Sequence, residues 1–536
     1  MTIKQILKDI NKKEWLFVGL VACLVILITA IPYVYGYLKD SVDNQFLGIV
    51  LINKVDYFNY FSYIEQAREG NFLFEDYYTT EPQPRIILNL FFLGLGLVAK
   101  FLNISAVSVW HLARLFSTLG FIFCSYLFAS YIFKEKIKRK LCLLLVCFSG
   151  GIEFLFSPLA RPFVFVCAST IFLDLTSNAL FVFSTTLIIL IFFLLLLGLE
   201  NKKYKYSWWA GLTGLILFQI HPYDIPVVSC VLFVFWLIIS LKQKRFDWFF
   251  FKSGLIFCLI SSPAIIYYLY LMTSHWLTVA RIDQAQIVGI GQTKILQLII
   301  GFGLLCLFSL IGFFHLLSKK GLTNCQLFLL VWLVIQFALG FFPFALQIKL
   351  LEGFHLVLCF LSVFGMFFVY QKLKNIVPRL VFLFKNNLLL IINFFILFCF
   401  SNFFVLFLIT VFAALPEISI PRKVIASMTW LRNNSLKNSA ILCPNYLDID
   451  GLIPAFAVRK TYTGHGIETI NSSDKKTLVD WFFNENGDDL QKQLFLKKNN
   501  LDYVFYVKNI YGFNPEEKDY LRKVFENDLT AIYKIL

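Results

Sequence analysis

Long apolar runs dominate the hydrophobic pattern of this chain. They recur along the first four-fifths of the sequence, and crossing the hydrocarbon core of a bilayer takes about 20 helical residues. The pattern therefore predicts an all-α polytopic membrane protein with about eleven transmembrane helices. The predicted spans are 15–36, 107–133, 141–157, 178–199, 207–221, 225–241, 247–271, 295–317, 325–345, 354–370 and 388–413.

The pattern changes after about Leu415, where Lys, Asn, Asp and Glu become common. Short runs there alternate in the manner of β-strands, and two polar stretches have helical character. We therefore predict a polytopic transmembrane domain, 1–415, and a small α/β extracytoplasmic C-terminal domain, 416–536. The predicted strands lie in NSAILCPNY, DYVFYVKN and TAIYKIL, and the predicted helices are 473–486 and 515–527.

Composition separates the chain from soluble proteins and from nucleic-acid-binding proteins. Hydrophobic residues make up 59% of the sequence and charged residues only 15%, whereas soluble domains are about a quarter charged. The net charge of +15 comes largely from lysines that flank apolar runs, as in membrane proteins. We therefore expect contact with membrane lipids and none with nucleic acid. The 12 cysteines lie mostly within apolar runs and predict neither a disulfide framework nor a metal site.

Basic residues predict the orientation of the chain. The first apolar run follows several lysines and is longer than a signal-peptide core, which indicates a retained anchor with a cytoplasmic N-terminus. If the short apolar segment 86–101 is a juxtamembrane helix at the interface, the basic linkers all become cytoplasmic. The first loop, 37–106, and the C-terminal domain are then external. This places an integral protein in the plasma or inner membrane.

An acidic and aromatic stretch, KVDYFNYFSYIEQAREGNFLFEDYYTTEPQPR, occupies residues 54–85 of the first external loop. Asp56 and Tyr60 are four residues apart, so on a helix they would share one face. Glu75, Asp76 and Glu81 form a second acidic group. Any one carboxylate could merely cap a helix or solvate the loop. Their grouping nevertheless indicates a site at the outer membrane surface.

Cations near the outer ends of predicted spans suit an anionic lipid head group such as a phosphate. His111 and Arg114 lie one helical turn apart in the second span, and Lys349 and His355 flank Glu352 at the outer start of the tenth. An arginine inside a membrane span usually faces a partner or a polar cavity. Extension of its side chain to the lipid head groups is an equally good explanation.

Two further polar motifs lie in predicted external segments. The turn HPYD contains His221 and Asp224, and the segment RKTYTGHGIET contains His465. His221 precedes a proline and could simply end a helix. Arg161 adds one more external cation.

Taken together, these features resemble the GT-C superfamily of membrane glycosyltransferases, which use polyprenyl-phosphate sugars. In that family the first external loop carries an acidic motif, D-E-x-x-Y, followed by a glycine, a proline-bearing stretch and an arginine. Tyr57 stands where the family has its second acidic residue, so the chain departs from paired carboxylates. The layout looks like a bacterial branch with a small external C-terminal domain. The matching residues are Asp56, Tyr60, Gly70, Pro82, Pro84 and Arg114.

The resemblance implies an inverting hexosyl or pentosyl transfer from a polyprenyl-phosphate donor to a cell-envelope acceptor, whether glycan, lipid or protein. It implies Asp56 as the catalytic base. Tyr60, Glu75, Asp76 and Glu81 would shape the acceptor site or hold a metal. No cofactor is assigned. A divalent cation, Mg²⁺ or Mn²⁺, stays open, and no residues are assigned as its ligands. The implied donor-phosphate residues are Arg114, His111, Lys349 and His355.

Two other functions stay open from the sequence. A lipid-linked sugar flippase or transporter usually shows internal repeats and charges deep within its spans. Here the polar residues gather at one face, and Glu153 is the chief exception. A non-catalytic envelope-assembly protein with an external domain is the other alternative.

Overall fold

The computed structural model divides into two compact units. The described residues are 2–52, 54–152, 170–274, 293–343, 347–376, 395–414, 418–484 and 488–536. The first unit takes its described residues from Met1–Ala30, Ala113–Leu269 and Gly289–Leu408. The second takes them from Ile31–Leu112, Tyr270–Val288 and Ile409–Leu536. The first loop and the C-terminal part of the chain therefore belong to one unit.

Helices build the first unit, and some of them continue into the second. Hydrophobic residues cover most positions of these helices, as expected for segments that pack against one another or face lipid. The described helices are Ile3–Asp9, Lys12–Leu38, Ala106–Ile132, Lys136–Phe148, Ile171–Ser177, Ala179–Asn201, Lys205–Ile220, Asp224–Lys242, Trp248–Leu271, Ile295–Phe302, Leu304–Leu317, Asn324–Gly340, Phe354–Ile376 and Phe400–Val411, with short 3-10 or π segments at Gln347–Leu351, Phe395–Cys399 and Phe412–Ala414.

Six described helices are long and apolar enough to cross a membrane, and a bent pair would make seven. Three shorter apolar helices fall below that length. The chain is thus helix-rich with several candidate spans, and the predicted count of eleven is not confirmed. The six are Lys12–Leu38, Ala106–Ile132, Ala179–Asn201, Asp224–Lys242, Trp248–Leu271 and Gln347–Ile376.

The predicted span 295–317 is not one continuous helix. The segment forms two helices that meet at 98°, with Gly303 between them at φ +51°. The loop that carries Gly151 packs into the bend, where an added Cβ on Gly151 would meet the carbonyl oxygen of Ile300 at 2.0 Å. The N–H of Ile152 donates to the same oxygen at 2.9 Å. Glycine at 303 and 151 permits this close approach.

The helix that contains the start of the predicted span 141–157 begins earlier, at Lys136, and includes the basic segment. Arg139 is fully buried there and lies 3.4 Å from the carboxylate of Glu14. Tyr126 donates to the same carboxylate at 2.9 Å. This pairing permits a charged residue inside the helix, since a buried charge needs a partner. The rest of that span, and residues 388–394 of the last predicted span, lie outside the described residues.

In the second unit, two packed helices support the first loop. Helix Lys54–Arg68 crosses helix Leu90–Leu102, which overlaps most of the segment 86–101 expected to be a juxtamembrane helix. At the crossing, a Cβ on Gly96 would lie 2.2 Å from Cβ of Ala67, so only glycine allows this distance. The far end of the first helix is held by Glu65, which accepts a hydrogen bond from Arg432 at 2.7 Å.

Two β-sheets complete the second unit. Strands β1 (Asn44–Phe46) and β2 (Ser419–Pro421) pair antiparallel. The larger sheet has the order β4-β3-β5-β7-β6, in which β3 is parallel to β4 and β5 and the other pairs are antiparallel. Its strands are β3 (Ala440–Leu442), β4 (Lys460–Thr461), β5 (Tyr503–Val507), β6 (Leu521–Glu526) and β7 (Thr530–Ile535). The remaining helices are Arg422–Asn434, Ile449–Leu452, Ser472–Asn484 and Asp489–Lys498, with short segments Ile453–Ala457 and Pro515–Glu517.

The prediction of a helix over 515–527 is wrong. Only Pro515–Glu517 forms a helical turn, and β6 follows it. β6 pairs with β7, from Leu521 opposite Ile535 to Glu526 opposite Ala531. The charged composition of the segment suggested an exposed helix, but pairing with a neighbouring strand overrides local preference in sheets. Each of the three predicted strand segments contains a strand.

Candidate functional site

Asp56 lies in the first turn of helix Lys54–Arg68. The next residue, Tyr57, is buried, and its hydroxyl lies 3.2 Å from that of Tyr33. Tyr60 stacks on the rings of Phe92 at 5.0 Å and Trp110 at 5.3 Å. The tyrosine at the position of the family's second acid therefore belongs to the packed interior. Asp56 is the residue that the resemblance assigns to the first acidic position of that motif.

His465 is the partner of Asp56 in the C-terminal part of the chain. Its Nε2 lies 3.4 Å from Oδ1 of Asp56. The histidine side chain is only 6% exposed, whereas that of Asp56 is 35% exposed. A carboxylate held by a buried group and still reachable from solvent is suited to accept a proton from a bound hydroxyl.

Several hydrogen bonds join the first loop to the segment around His465. Tyr78 donates from its hydroxyl to the carbonyl of Gly451 at 3.1 Å. Thr469 donates to the carbonyl of Tyr78 at 2.8 Å. The backbone N–H of Thr461 donates to the carbonyl of Tyr77 at 2.9 Å. These bonds lie on both sides of His465 in sequence, so the loop and the histidine form one packed structure.

Each carboxylate of the second acidic group in the loop binds a cation or a backbone N–H group. Glu75 forms ion pairs with Arg85 at 3.3 Å and Lys460 at 3.0 Å. Glu81 pairs with Lys475 at 2.7 Å, and burial lowers the pKa of that lysine. The buried Asp76 accepts the N–H of Tyr78 at 2.8 Å. The roles of Glu75, Asp76 and Glu81 toward an acceptor stay predictions.

The donor set of this loop does not fit a divalent cation. Mg²⁺ and Mn²⁺ prefer several carboxylate or carbonyl oxygens around one point. Glu75 and Glu81 instead each hold a lysine. Among the described residues, no three His, Cys, Asp or Glu side chains are grouped to hold a metal ion. We therefore derive no chemical step through a metal.

A further buried acid, Asp450, was missed in the sequence. It is 3% exposed, and burial together with the neighbouring Asp448 raises its pKa to about 7. Its Oδ1 accepts the N–H of Gly451 at 3.0 Å, the residue whose carbonyl binds Tyr78. Asp450 lies in a polar tail where acids are common, so nothing in the local sequence distinguished it.

In the first unit, Lys349 lies among buried acidic residues. Its ammonium group lies 4.4 Å from the centre of the Phe181 ring. It interacts electrostatically with Asp174 and Glu352, which are 5% and 8% exposed. Thr185 donates to Glu352 at 3.1 Å. Asp174 was missed, although a lone aspartate in the apolar run IFLDLTSNALF is the kind of residue that marks a function in a membrane protein.

His221 and Asp224 belong to the same group of side chains. Nδ1 of His221 lies 2.9 Å from Oδ2 of Asp224, and both residues are buried. The edge of the Phe181 ring meets the His221 ring at 5.4 Å between centres, and Glu352 interacts electrostatically with both. The structure thus brings Lys349 and His221 to the Phe181 ring, with Asp224 bound to His221.

The other predicted donor-phosphate residues have separate surroundings. The His111 ring meets Tyr33 edge-on at 4.8 Å. Arg114 donates to the carbonyl of Thr29 at 3.2 Å. His355 is fully buried, with Nε2 3.0 Å from the hydroxyl of Ser149. Their roles toward a phosphate stay predictions. Arg161 and Glu153 lie outside the described residues.

Comparison with known proteins identifies the fold. No protein-family model matches the sequence, and no curated protein matches it. Among solved structures, the oligosaccharyltransferase of Archaeoglobus fulgidus with a tethered acceptor peptide is 12% identical, with a TM-score of 0.55 over 92% of this chain and 69% of that one. ArnT from Cupriavidus metallidurans, bound to undecaprenyl phosphate, is 11% identical, with a TM-score of 0.54 over 95% of this chain and 98% of that one.

A third similar structure is the arabinofuranosyltransferase AftD from mycobacteria. It is 12% identical, with a TM-score of 0.50 over 98% of this chain and 40% of that one. All three are membrane glycosyltransferases of the GT-C type. At such low sequence identities the similarity concerns the fold alone. As far as the fold is concerned, it confirms the resemblance noted in the sequence. The chain has the fold of the GT-C membrane glycosyltransferases.

Proposed function

We propose that this protein is a membrane glycosyltransferase that moves a sugar from a polyprenyl-phosphate-linked donor to a cell-envelope acceptor. The observation that carries the proposal is the contact between Asp56 and His465 at 3.4 Å. Asp56 occupies the acidic position of the family motif, and a histidine 409 residues away approaches it. The GT-C fold and the bound undecaprenyl phosphate of a similar structure support the class of donor.

Asp56 would act as the general base. Its carboxylate takes the proton from an acceptor hydroxyl, and the oxygen attacks the anomeric carbon of the donor sugar. The bond between that carbon and the phosphate oxygen breaks, and the phosphate leaves with the electron pair. A phosphate is a stable anion and needs no acid to protonate it, unlike the leaving alcohol in glycoside hydrolysis. A single base fits an inverting transfer of a hexose or pentose.

The donor phosphate would meet cations of the chain. Arg114 and Lys349 are the strongest candidates, because guanidinium and ammonium groups form charge-assisted hydrogen bonds with phosphate oxygens. His111 and His355 are weaker candidates, since both rings already contact protein groups. Lys349 interacts with Asp174 and Glu352, so a phosphate there would compete with two carboxylates.

We place the protein in the plasma or inner membrane with a cytoplasmic N-terminus and about eleven spans. The first loop and the residues after about 415 would then lie outside the cytoplasm, where Asp56 and His465 could meet an envelope glycan, lipid or protein. The distribution of basic linkers along the sequence supports this orientation.

A lipid-linked sugar flippase is the second candidate, favoured by the buried charges of the first unit. Asp174, Asp224 and Glu352 are all at most 8% exposed. Ionisable residues inside a membrane protein often mark a transport path or a proton relay. The two functions differ in the bond that is broken, since a flippase leaves the link between sugar and phosphate intact.

The test is an assay of the purified full-length protein in liposomes with radiolabelled polyprenyl-phosphate sugars. A glycosyltransferase releases polyprenyl phosphate and labels an acceptor fraction of envelope glycans, lipids or proteins. A flippase moves the intact donor across the bilayer without releasing polyprenyl phosphate. Movement without release would reject the proposed transferase. Repeating the assay with EDTA and then with added Mg²⁺ or Mn²⁺ tests the need for a divalent cation.

A further inference from the structure

We propose that His465 is a positioning residue that donates a hydrogen bond from Nε2 to Asp56 and is not itself the base. The inference rests on the proposed function, because it assigns a role within the same site. Its basis is the set of hydrogen bonds around the imidazole ring. These bonds determine which ring nitrogen carries the proton.

Two backbone N–H groups point at Nδ1 of His465. Those of Ile467 and Glu468 lie 3.2 Å and 3.3 Å from this nitrogen. A backbone N–H can only donate, so Nδ1 must accept and carries no proton in the neutral ring. The single proton of the neutral imidazole is then on Nε2, the nitrogen that faces Asp56. A histidine with both nitrogens engaged in this way has no lone pair left for an acceptor hydroxyl.

The ring is also held in place by its packing. The Tyr78 ring meets it edge-on at 5.8 Å between centres. The hydroxyl of Tyr78 is bound to Gly451, and its carbonyl is bound to Thr469. His465 is therefore held both by a turn of its own backbone and by a buried tyrosine.

The charge state of the ring does not alter this assignment. Burial opposes protonation, but the hydrogen bond to Asp56 and the negative charges of Glu468, Asp56 and Asp76 outweigh it and raise the pKa of His465. A second proton would have to enter at Nδ1, against two N–H groups. In the neutral and in the charged ring alike, Nε2 keeps its proton and donates to Asp56.

The hydrogen bond from His465 to Asp56 has two consequences for catalysis. It fixes the direction of the Asp56 carboxylate, and correct orientation of a reacting group contributes strongly to rate. It also stabilises the ionised form that accepts a proton. Without it, kcat should fall about 10- to 100-fold, the range of a lost hydrogen bond to a charged group. The KM for the lipid donor should change little, and the acid limb of the pH–rate profile should move to higher pH.

The kinetic test compares His465→Ala with His465→Gln in the transfer assay. Glutamine keeps an N–H donor of similar reach, so it should recover most of the activity and the position of the acid limb. The double variant with Asp56→Asn should be no slower than Asp56→Asn alone, because a positioning residue acts only through its partner. If Gln is as inactive as Ala while Asp56→Asn stays active, His465 is the base and the assignment is wrong.

A second measurement separates this inference from the proposed function. The chain has six histidines, so ¹⁵N-labelled histidine in the membrane-embedded protein gives few solid-state NMR signals, and His465→Gln identifies the one of interest. We expect a protonated Nε2 and an unprotonated Nδ1 whose shifts change on Asp56→Asn. A neutral ring with its proton on Nδ1 would overturn the inference whether or not the protein transfers sugar.

Discussion

Gly464 lies so close to Tyr78 that an added Cβ would be 2.6 Å from Cδ1 of the tyrosine ring. Tyr78 is fully buried, and its hydroxyl is bound to the carbonyl of Gly451 at 3.1 Å. The ring therefore has no room to move away. Because Gly464 directly precedes His465, this approach holds the histidine beside Asp56.

Gly464→Ala should accordingly damage the site through packing alone. The added methyl group forces the backbone away from Tyr78, with a cost in unfolding free energy of about 1–3 kcal/mol. It should also lower the transfer rate about tenfold or more, since small displacements of catalytic groups are costly. The matched control is Gly466→Ala in the same turn, where an added Cβ meets no atom within 4 Å. Equal activity and melting temperature in the two variants would contradict this account.

Asp56→Asn should lower sugar transfer by at least about a hundredfold, the usual scale for a lost acid–base group. Asparagine keeps the size of the side chain but cannot take the acceptor proton. The melting temperature should barely change, because the side chain is 35% exposed. Asp528→Asn, at a carboxylate that is 86% exposed, serves as the control. If Asp56→Asn keeps near-full activity while Glu75→Gln or Asp76→Asn is inactive, Asp56 is not the base. The base is then another acidic residue of the loop.

Asp450→Asn should stabilise the protein in a pH-dependent way. Burial and Asp448 raise the pKa of Asp450 to about 7 in the folded protein, against 3.8 as the reference value. The folded state therefore binds the proton more tightly, and the wild-type protein loses stability as the pH rises from about 4 to 7. Asparagine is not ionised, so the variant should gain up to about 4 kcal/mol over the wild type at pH 8.

The measurement for Asp450→Asn is thermal unfolding at pH 4, 6 and 8. The difference between variant and wild type should be smallest at pH 4 and largest at pH 8. Asp480→Asn, at an exposed position, is the control. A constant difference across this range would mean that Asp450 does not titrate there.

Arg114→Ala and Lys349→Ala should each raise the KM for the lipid-phosphate donor about tenfold, the effect of one lost hydrogen bond to a charged group. The proteins should still insert and fold. Arg245→Ala and Lys244→Ala, at exposed positions, are the controls. An unchanged KM in both variants would mean that neither side chain binds the donor phosphate. Arg114 would then extend to the lipid head groups, and Lys349 would interact only with Asp174 and Glu352.

The orientation of the chain can be checked with reporter fusions. A phosphatase fused after residue 415 should be active, because the basic linkers place the following residues outside the cytoplasm. A reporter inserted at residue 136 should behave as cytoplasmic. If both reporters fall on the same side of the membrane, the predicted spans are wrong in number. The argument for a site at the outer surface would fail with them.

The sequence by itself determined the local structure wherever one periodicity dominated. The apolar run predicted at 178–199 forms helix Ala179–Asn201, and the run at 225–241 forms Asp224–Lys242. Alternation in DYVFYVKN predicted β5. In these segments the hydrophobic effect acts on the chain residue by residue, so the period of the pattern reveals the element. The same pattern, with its short acidic motif, was enough to indicate the fold family.

Only the tertiary structure decided the features that depend on distant residues. The break at Gly303 requires the loop at Gly151, and β6 requires the neighbouring β7. His465 was one polar candidate among several until folding brought it to 3.4 Å from Asp56. The contacts of Gly303 and His465 join segments more than a hundred residues apart, and the pairing of β6 depends on β7; no local period records any of them. They arise because buried polar groups must find partners, and the folded chain offers those partners only after its helices and strands have packed.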